Sequence, residues 1–401
     1  MNKTKVFLAI PLVLAGAAAL AWHYSPVHVI TAYDRIANPI ADTQRVVWEA
    51  GPQTAPEGKR KPNIILIVAD DLGINDITAT GTGVANGLVP TPNIDALASE
   101  GAQFVTGYSG SGTCSPSRAA LMTGRYPARY GFEYTAVPKA FASNLAAPTP
   151  GRLHQPIYHS EREAQMPSLE DMGVPEDQVT IAELLKGAGY RTLHVGKWHL
   201  GESPKMRPEA QGFDESLGFM SGAGMFLAED HPDVVNAKLD YDPIDRFLWV
   251  YASDAVQKNG GQRFRIDEYM TDYFTREAIA AVEANRNRPF FLYLAYNAPH
   301  TPLQALRSDY DALSAIKDHK TRVYGAMIRA LDRGVGELVG ALKKNGLDED
   351  TIIIFTSDNG GAWYAGLPNI NAPYRGWKAT FFEGGIRVPY LVRWPGGIAA
   401  G

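Results

Sequence analysis

The chain has 401 residues, of which 45% are hydrophobic and 20% charged, so it can form one large hydrophobic core or two domains. Its formal net charge is only −5 and the sequence has no block of basic residues, which excludes the electrostatic footprint of a nucleic-acid-binding protein. Cys114 is the single cysteine, so an intramolecular disulfide is excluded as well.

The chain begins with the features of an export signal. Lys3 and Lys5 precede an uninterrupted apolar run at residues 6–22. The run is short for a membrane-spanning helix, and Ala19-Leu20-Ala21 offers a small-x-small cleavage pattern, which favours a signal peptide over residues 1–21. An uncleaved N-terminal anchor is the alternative. We therefore expect an exported protein, periplasmic or secreted, that contacts a membrane only through such an anchor.

Alternating strands and helices follow a polar leader. Residues 22–60 contain prolines and no strong hydrophobic period, so we expect a leader or linker there and the folded domain at 61–401. Short apolar runs predict strands at 63–69, 191–199, 289–296 and 351–356. Helical spacing and capping residues predict helices at 91–100, 181–190, 266–282 and 327–344. This alternation is typical of an α/β fold with helices covering a parallel sheet. We expect the aperiodic stretch 138–172 to run over its surface.

Polar groups follow all four predicted strands, at the edge where α/β proteins bind ligands. These groups are Asp70-Asp71, Gly196-Lys197-Trp198-His199, Asn297-Ala298-Pro299-His300 and Ser357-Asp358-Asn359-Gly360. If the strands are parallel, the groups lie along one rim, where Asp70, Asp71, Asp358 and Asn359 would form a site of hard oxygen ligands. Such a site suits calcium or magnesium rather than zinc. Taken singly, the acidic pair could instead cap a loop and the Asp-Asn-Gly group could form a turn.

Alternation along the strand at 191–199 predicts that Lys197 and His199 share one face, while His194 points to the other and packs there. His300 follows the next strand and could reach the same space. One cation and two imidazoles beside a metal would stabilise an anion and supply general acid-base catalysis.

A Gly/Ser-rich loop at 106–118 runs into an apolar helix at 119–122, with Pro116 near its first turn, so we expect Cys114 to lie at the helix N-terminus. The free N–H groups and the positive dipole end of a helix N-terminus favour a bound anion, and Arg118 adds a planar fork for tetrahedral oxyanions. We expect a reactive thiol in this position to be acidified.

These residues carry a resemblance to a known family. Cys114-Ser115-Pro116-Ser117-Arg118 resembles the C-x-P-x-R signature of type I sulfatases, which belong to the alkaline phosphatase superfamily, and residues 196–201 (GKWHLG) resemble their second signature. The acidic pair, the Ala-Pro-His and Ser-Asp-Asn-Gly turns and the segment 375–389 occur in family order. The resemblance covers about residues 61 to 396 and implies a large mixed, mostly parallel sheet sandwiched by helices.

The resemblance also implies a mechanism and a set of site residues. A sulfatase of this family would hydrolyse sulfate esters with a formylglycine hydrate, made by oxidising Cys114, beside one Ca²⁺ ion. The implied metal ligands are Asp70, Asp71, Cys114, Asp358 and Asn359. Arg118 would stabilise the hydrate, Lys197 and Lys378 would hold sulfate oxygens, and His300 and His199 would form the acid-base pair. The implied partners are a sulfated small molecule or carbohydrate and a formylglycine-generating enzyme.

One departure from the family and two rival functions stay open at this point. The sequence stops at Gly401, where family members usually continue into a small antiparallel C-terminal domain, so we expect a C-terminally short catalytic domain. A phosphonate or phosphodiester hydrolase of the same superfamily would use the same nucleophile and metal. An inactive, truncated envelope binding protein is the rival from another class. The sequence alone does not identify the natural ester.

Overall fold

The computed structural model describes residues 26–55, 58, 60–146 and 155–401. The predicted signal peptide or anchor at residues 1–21 lies outside the described residues. Among the helices that are described, none combines the length and the apolar character needed to cross a bilayer. The strands are β1 (Asn63–Ala69), β2 (Ala102–Gln103), β3 (Arg191–Lys197), β4 (Glu215–Phe219), β5 (Val234–Ala237), β6 (Ala255–Lys258), β7 (Phe264–Arg265), β8 (Phe290–Ala295), β9 (Leu303–Leu306), β10 (Thr351–Ser357) and β11 (Tyr390–Arg393).

Nine of these strands form one mixed sheet in the order β2-β11-β10-β1-β8-β3-β4-β6-β7, and β5 pairs with β9 separately. The central strands β10, β1, β8, β3 and β4 are parallel, while β11, β2, β6 and β7 add antiparallel edges. The resemblance to sulfatases predicts this large, mostly parallel sheet, and the prediction is confirmed.

Helices cover both faces of the sheet. They are α1 (Pro26–Ala37), α2 (Pro92–Ser99), α3 (Cys114–Thr123), α4 (Lys139–Leu145), α5 (Ile181–Gly187), α6 (Pro243–Tyr251), α7 (Met270–Ala284), α8 (Arg307–Ala312), α9 (His319–Lys344) and α10 (Glu383–Ile386). Ile65 and Ile67 of β1 point into a core shared with α7 and α9. Leu66 and Val68 point to the opposite face, where α3 and α5 pack. Burial on both faces explains why β1 is apolar throughout.

The leader predicted at residues 22–60 is partly built into the fold. Its helix α1 packs against α6, and Trp48 is buried and donates a hydrogen bond from Nε1 to Glu277 at 2.9 Å. This helix was not predicted, because its apolar residues pack against the surface helices α4 and α6 rather than against the sheet. In the predicted surface stretch 138–172, α4 and the 3₁₀ turns Ser160–Gln165 and Leu169–Asp171 lie on the outside, with no buried residue in any of the three elements.

All four predicted strands exist; β1 has the predicted bounds, and the ends of the other three differ by one or two residues. β3 ends at Lys197 rather than at residue 199, and His199 has φ 57°, outside the extended region. The alternation argument therefore does not reach His199. The helix at the cysteine begins at Cys114, which confirms the prediction that Cys114 lies at a helix N-terminus, and it ends at Gly124 in the left-handed conformation (φ 63°).

Candidate active site

The four parallel strands end at one rim of the sheet, as the sequence predicts. β1 is flanked by β10 and β8, and β8 by β3, so the groups that follow them are neighbours. Two further segments reach this rim. The first turn of α3 brings Cys114 and Arg118, and the loop before α10 brings Lys378. The ten predicted site residues are all at most 9% exposed.

Three buried carboxylates and one amide form the floor of the site. The backbone N–H of Asp71 donates to Asp358 Oδ1 at 3.1 Å, and Asn359 Nδ2 donates to Asp71 Oδ1 at 2.8 Å. Asn359 Oδ1 is buried and has no hydrogen-bond partner among the described residues. Buried polar atoms are rarely left unpaired, so this oxygen is available to a ligand.

Three cations neutralise these carboxylates. Lys197 Nζ lies 2.7 and 3.0 Å from the two oxygens of Asp70, and Lys378 Nζ lies 2.8 Å from Asp71 Oδ2. Arg118 contacts Asp358 Oδ2 at 2.8 Å and Asp70 Oδ1 at 3.3 Å. The three negative and three positive side chains sum to zero charge, which allows all six to stay buried.

The ion pairs set the protonation of the site. Burial alone would raise the pKa of Asp70, but the charges of Lys197 and Arg118 outweigh it and hold the pKa below the usual value. Burial is likewise outweighed at Asp71, mainly by Lys378, and its pKa is also lowered. Both carboxylates are therefore ionised and available as oxygen ligands at neutral pH.

Cys114 sits over the acidic pair. Its Sγ lies 3.8 Å from one carboxylate oxygen of Asp70 and 3.8 Å from one of Asp71. The prediction that this thiol is acidified is wrong. Burial raises the pKa of Cys114 to about 12, because Lys197 and Lys378 compensate only in part and Asp358 and Asp71 add repulsion. The unmodified side chain is therefore a neutral thiol at physiological pH.

His300 lies at the edge of the cluster. Its Nδ1 is within hydrogen-bond distance of the Thr301 carbonyl oxygen, which can only accept, so Nδ1 carries the proton. Nε2 is then the acceptor for Lys378 Nζ at 3.0 Å, and it lies 3.5 Å from Asp71 Oδ2. Burial, with Lys378 adding to it, lowers the pKa of His300. The ring is neutral and presents Nε2 to the site.

His199 has the opposite tautomer to His300, with its proton on Nε2. Its Nε2 donates to the carbonyl oxygen of Ala136 at 2.9 Å, which leaves Nδ1 as the unprotonated nitrogen, without a partner among the described residues. Burial, followed by the nearby charge of Lys197, holds the pKa of His199 well below its usual value. His194 lies apart, 5.4 to 5.8 Å from the rings of Trp198, Tyr293 and Phe213, which confirms that it packs away from the site.

The cluster could hold a metal ion, although the group that the structure brings together differs from the predicted ligand set. Asp70, Asp71, Cys114 and His300 each offer one ligand atom within 4.8 Å of the others. Asp358 lies beside this group, with its oxygens directed to Arg118 and to the N–H of Asp71. Two carboxylates and the free oxygen of Asn359 are the hard ligands that calcium prefers, whereas a neutral thiol is not.

Asn297 is a residue whose burial the sequence did not predict. It is 1% exposed, and neither atom of its side-chain amide has a partner among the described residues. The register pairs Val68 with Ala295, so Asn297 follows Ala295 as Asp70 follows Val68, on the sheet face that α3 covers. The sequence signal that could have indicated its burial is a polar residue directly after a buried strand.

The chain is similar to known sulfatases. The family model described as Sulfatase matches residues 62–401. N-acetylgalactosamine-6-sulfatase of Mus musculus is 35% identical over 85% of this chain and 58% of its own length. An arylsulfatase of Hemicentrotus pulcherrimus is 32% identical over 85% of this chain and 55% of its own length. The crystal structure of Ps i-CgsB in complex with k-i-k-neocarrahexaose is 39% identical, with a TM-score of 0.67, over 85% of this chain and 68% of that one. The chain thus spans less than two thirds of these two curated relatives.

Proposed function

Since the chain belongs to the sulfatase family, we propose that it hydrolyses sulfate esters to an alcohol and inorganic sulfate. The observation that carries this proposal is the position of Cys114 at the first turn of α3, over the acidic pair and within the cluster of three carboxylates and three cations. A neutral cluster that also accepts a divalent cation becomes doubly positive, which suits a sulfate group.

The nucleophile is proposed to be a modified Cys114. A formylglycine-generating enzyme would oxidise its side chain to an aldehyde, whose hydrate supplies the attacking oxygen. The high pKa of the unmodified thiol supports this proposal, because a neutral thiol is a poor nucleophile. The modified side chain would also present oxygen to a metal, in keeping with the carboxylates around it.

Calcium is the proposed metal, held by Asp70, Asp71, Asp358 and Asn359 together with the modified Cys114. The free Oδ1 of Asn359 and the ionised carboxylates support this assignment. When bound, the ion would polarise a sulfate oxygen and supply positive charge for the developing negative charge.

The remaining residues are proposed to bind the sulfate group and move protons. Lys197 and Lys378 would donate to sulfate oxygens and stabilise the charge on the transferring group, and Arg118 would stabilise the hydrate. Nδ1 of His199 would take a proton from the nucleophile, because Nε2 is occupied by Ala136. Nε2 of His300 would protonate the leaving alcohol, since Nδ1 is fixed at Thr301. Because Nε2 is unprotonated in the resting site, it must first take up a proton, which the Lys378 ammonium at 3.0 Å can supply.

We propose a sulfated carbohydrate as the substrate and an exported location, periplasmic or secreted. The carbohydrate is supported by the likeness to Ps i-CgsB, whose structure contains k-i-k-neocarrahexaose. The location rests on the basic and apolar residues at 1–22.

The test is to produce the chain together with a formylglycine-generating enzyme and to measure sulfate release from an aryl sulfate and from sulfated neocarra-oligosaccharides. A phosphonate monoester and a phosphodiester serve as rival substrates. We expect sulfate release, together with a peptide mass in which an aldehyde replaces the thiol of Cys114. Turnover of the phosphorus esters alone would contradict the proposal. An unmodified Cys114 after expression in the native host would instead support the inactive binding protein.

A further inference from the structure

The catalytic cluster is most accessible on the side of Lys378 and His300. These residues are 9% and 7% exposed, whereas Asp70, Arg118 and Lys197 are 0% exposed. A substrate therefore reaches the cluster past Lys378 and His300, and the residues around them are placed to contact the rest of the substrate.

Two tryptophans lie beside this entrance. The ring centroids of Trp363 and Trp377 are 4.9 Å apart, with an interplanar angle of 33°. Trp377 immediately precedes Lys378, whose backbone N–H donates to Gly361 O at 3.2 Å and so joins the segments that carry the two rings. Trp363 is 50% exposed, although a tryptophan of the fold usually buries most of its ring.

The two rings form one wall of a groove of about 310 Å³. The groove is lined by Trp363, Asn369, Ile370, Asn371, Ala372, Pro373, Tyr374, Gly376 and Trp377. None of these lining residues is charged, in contrast to the six charged side chains of the catalytic cluster. The volume lies at the lower end of the range for small-molecule sites, and aromatic walls with a few polar groups are typical of them.

We propose that this groove binds an uncharged pyranose ring that neighbours the sulfated ring of a carbohydrate chain. A pyranose has apolar C–H faces that pack on the tryptophan rings and hydroxyl groups that pair with the exposed amide of Asn369. The absence of charge in the lining selects against a second sulfate at this position. This inference rests on the proposed function and refines it, because it predicts a preference for polymeric over small sulfate esters.

The test compares Trp363→Ala and Trp377→Ala with the wild-type enzyme after maturation. For each protein, kcat/KM is measured on a sulfated neocarra-oligosaccharide and on a small aryl sulfate, and the ratio of the two values is reported. We expect this ratio to fall at least about fivefold in each variant, chiefly through a higher KM for the oligosaccharide. Tyr126→Ala, at another side chain that is 70% exposed, is the matched control and should leave the ratio unchanged.

The outcomes separate this inference from the proposed function. A wild-type enzyme that hydrolyses neither sulfate ester contradicts the proposed function itself. A wild-type enzyme that is active on both, with a ratio that the tryptophan variants do not change, overturns the groove alone. An equal loss on both substrates also overturns it, because the tryptophans would then act only by supporting Lys378. Calorimetric titration with a desulfated oligosaccharide gives a readout independent of turnover: we expect binding to the wild type and loss of binding in Trp363→Ala/Trp377→Ala, and equal affinity for both proteins overturns the groove.

Discussion

Lys197 and Asp70 form an ion pair that is completely shielded from solvent, with Nζ 2.7 Å from one carboxylate oxygen and 3.0 Å from the other. Removing one partner of such a pair leaves a buried charge uncompensated, which costs about 3–5 kcal/mol. We therefore expect Lys197→Met to lower the free energy of unfolding by this amount, measured by urea denaturation. Lys197→Met/Asp70→Asn should recover part of the loss. A double variant as unstable as the sum of the singles would contradict the pairing.

Cys114→Ala should abolish turnover while the fold persists. The side chain is small and its Sγ has only long contacts with Asp70 and Asp71, so we expect the stability to change by at most about 1 kcal/mol. Sulfate release and thermal unfolding are measured on the same preparation. Cys114→Ser is the matched control. It keeps the shape of the side chain but removes the thiol that the proposed modifying enzyme oxidises to an aldehyde. Activity that survives in Cys114→Ala rejects the nucleophile assignment.

Removal of calcium should inactivate and destabilise the enzyme. Chelation leaves the acidic pair with Lys197 and Lys378 as its counter-ions, so the chain should remain folded but lose turnover. Calcium at 100 times its dissociation constant should restore about 2.7 kcal/mol of stability. Both effects are followed by titrating Ca²⁺ into the chelated protein while recording sulfate release and the unfolding midpoint. Recovery with Zn²⁺ but not with Ca²⁺ would show that the oxygen-ligand assignment is wrong.

Asp76 should make the stability depend on pH. Burial raises its pKa to about 8, and the hydrogen bonds from Tyr324 and from the N–H of Gly73 oppose this only in part. Between about pH 4 and pH 8 the folded state holds a proton that the unfolded state has released, so this residue lowers the stability as pH rises through that window. Asp76→Asn should remove that contribution. The difference between wild type and variant, measured by denaturation from pH 4 to pH 9, is flat if the prediction is wrong.

Asn297→Leu should leave the stability unchanged or raise it by about 1 kcal/mol. The amide is buried without a partner among the described residues, and a buried unpaired polar group is unfavourable relative to an apolar group of similar shape. Asn297→Asp should be destabilising, because it places a charge in the same surroundings. The urea concentrations at the unfolding midpoints of the two variants, compared with that of the wild type, test this prediction. A clear loss of stability in the leucine variant would mean that the amide is paired in the folded protein.

The sequence predicts the centre of the fold better than its edges. β1, β8 and β10 are continuous apolar runs because both faces are buried, so they can be recognised without the structure. The edge strands β2 and β7 have two residues each, too few for a hydrophobic period. The helix α1 has 12 residues and is long enough to show a period, but it packs against the surface helix α6 rather than the sheet, and the prolines around it indicated a linker.

Some residues of the candidate site could likewise be predicted from the sequence, and others could not. Asp70, Asp71, Asp358 and His300 could be grouped from the sequence, since each follows a strand of one parallel sheet. Lys378 comes from a loop more than 300 residues after Asp71, and only the family resemblance indicated it. The raised pKa of Cys114 could not be foreseen, because it depends on how completely the surrounding segments exclude water.

The burial of Cys114 limits the time at which the proposed oxidation of its side chain can take place. The residues around the sulfur come from distant parts of the sequence, from Asp70 to Lys378, and Cys114 is only 1% exposed. A second enzyme would reach it more easily before these segments have come together. If the proposed oxidation occurs, we therefore expect it while the region around residue 114 is still extended, and we expect a chain that folds first to keep its thiol. The fraction of active protein in a preparation would then depend on the rate of the proposed modification relative to the rate of folding.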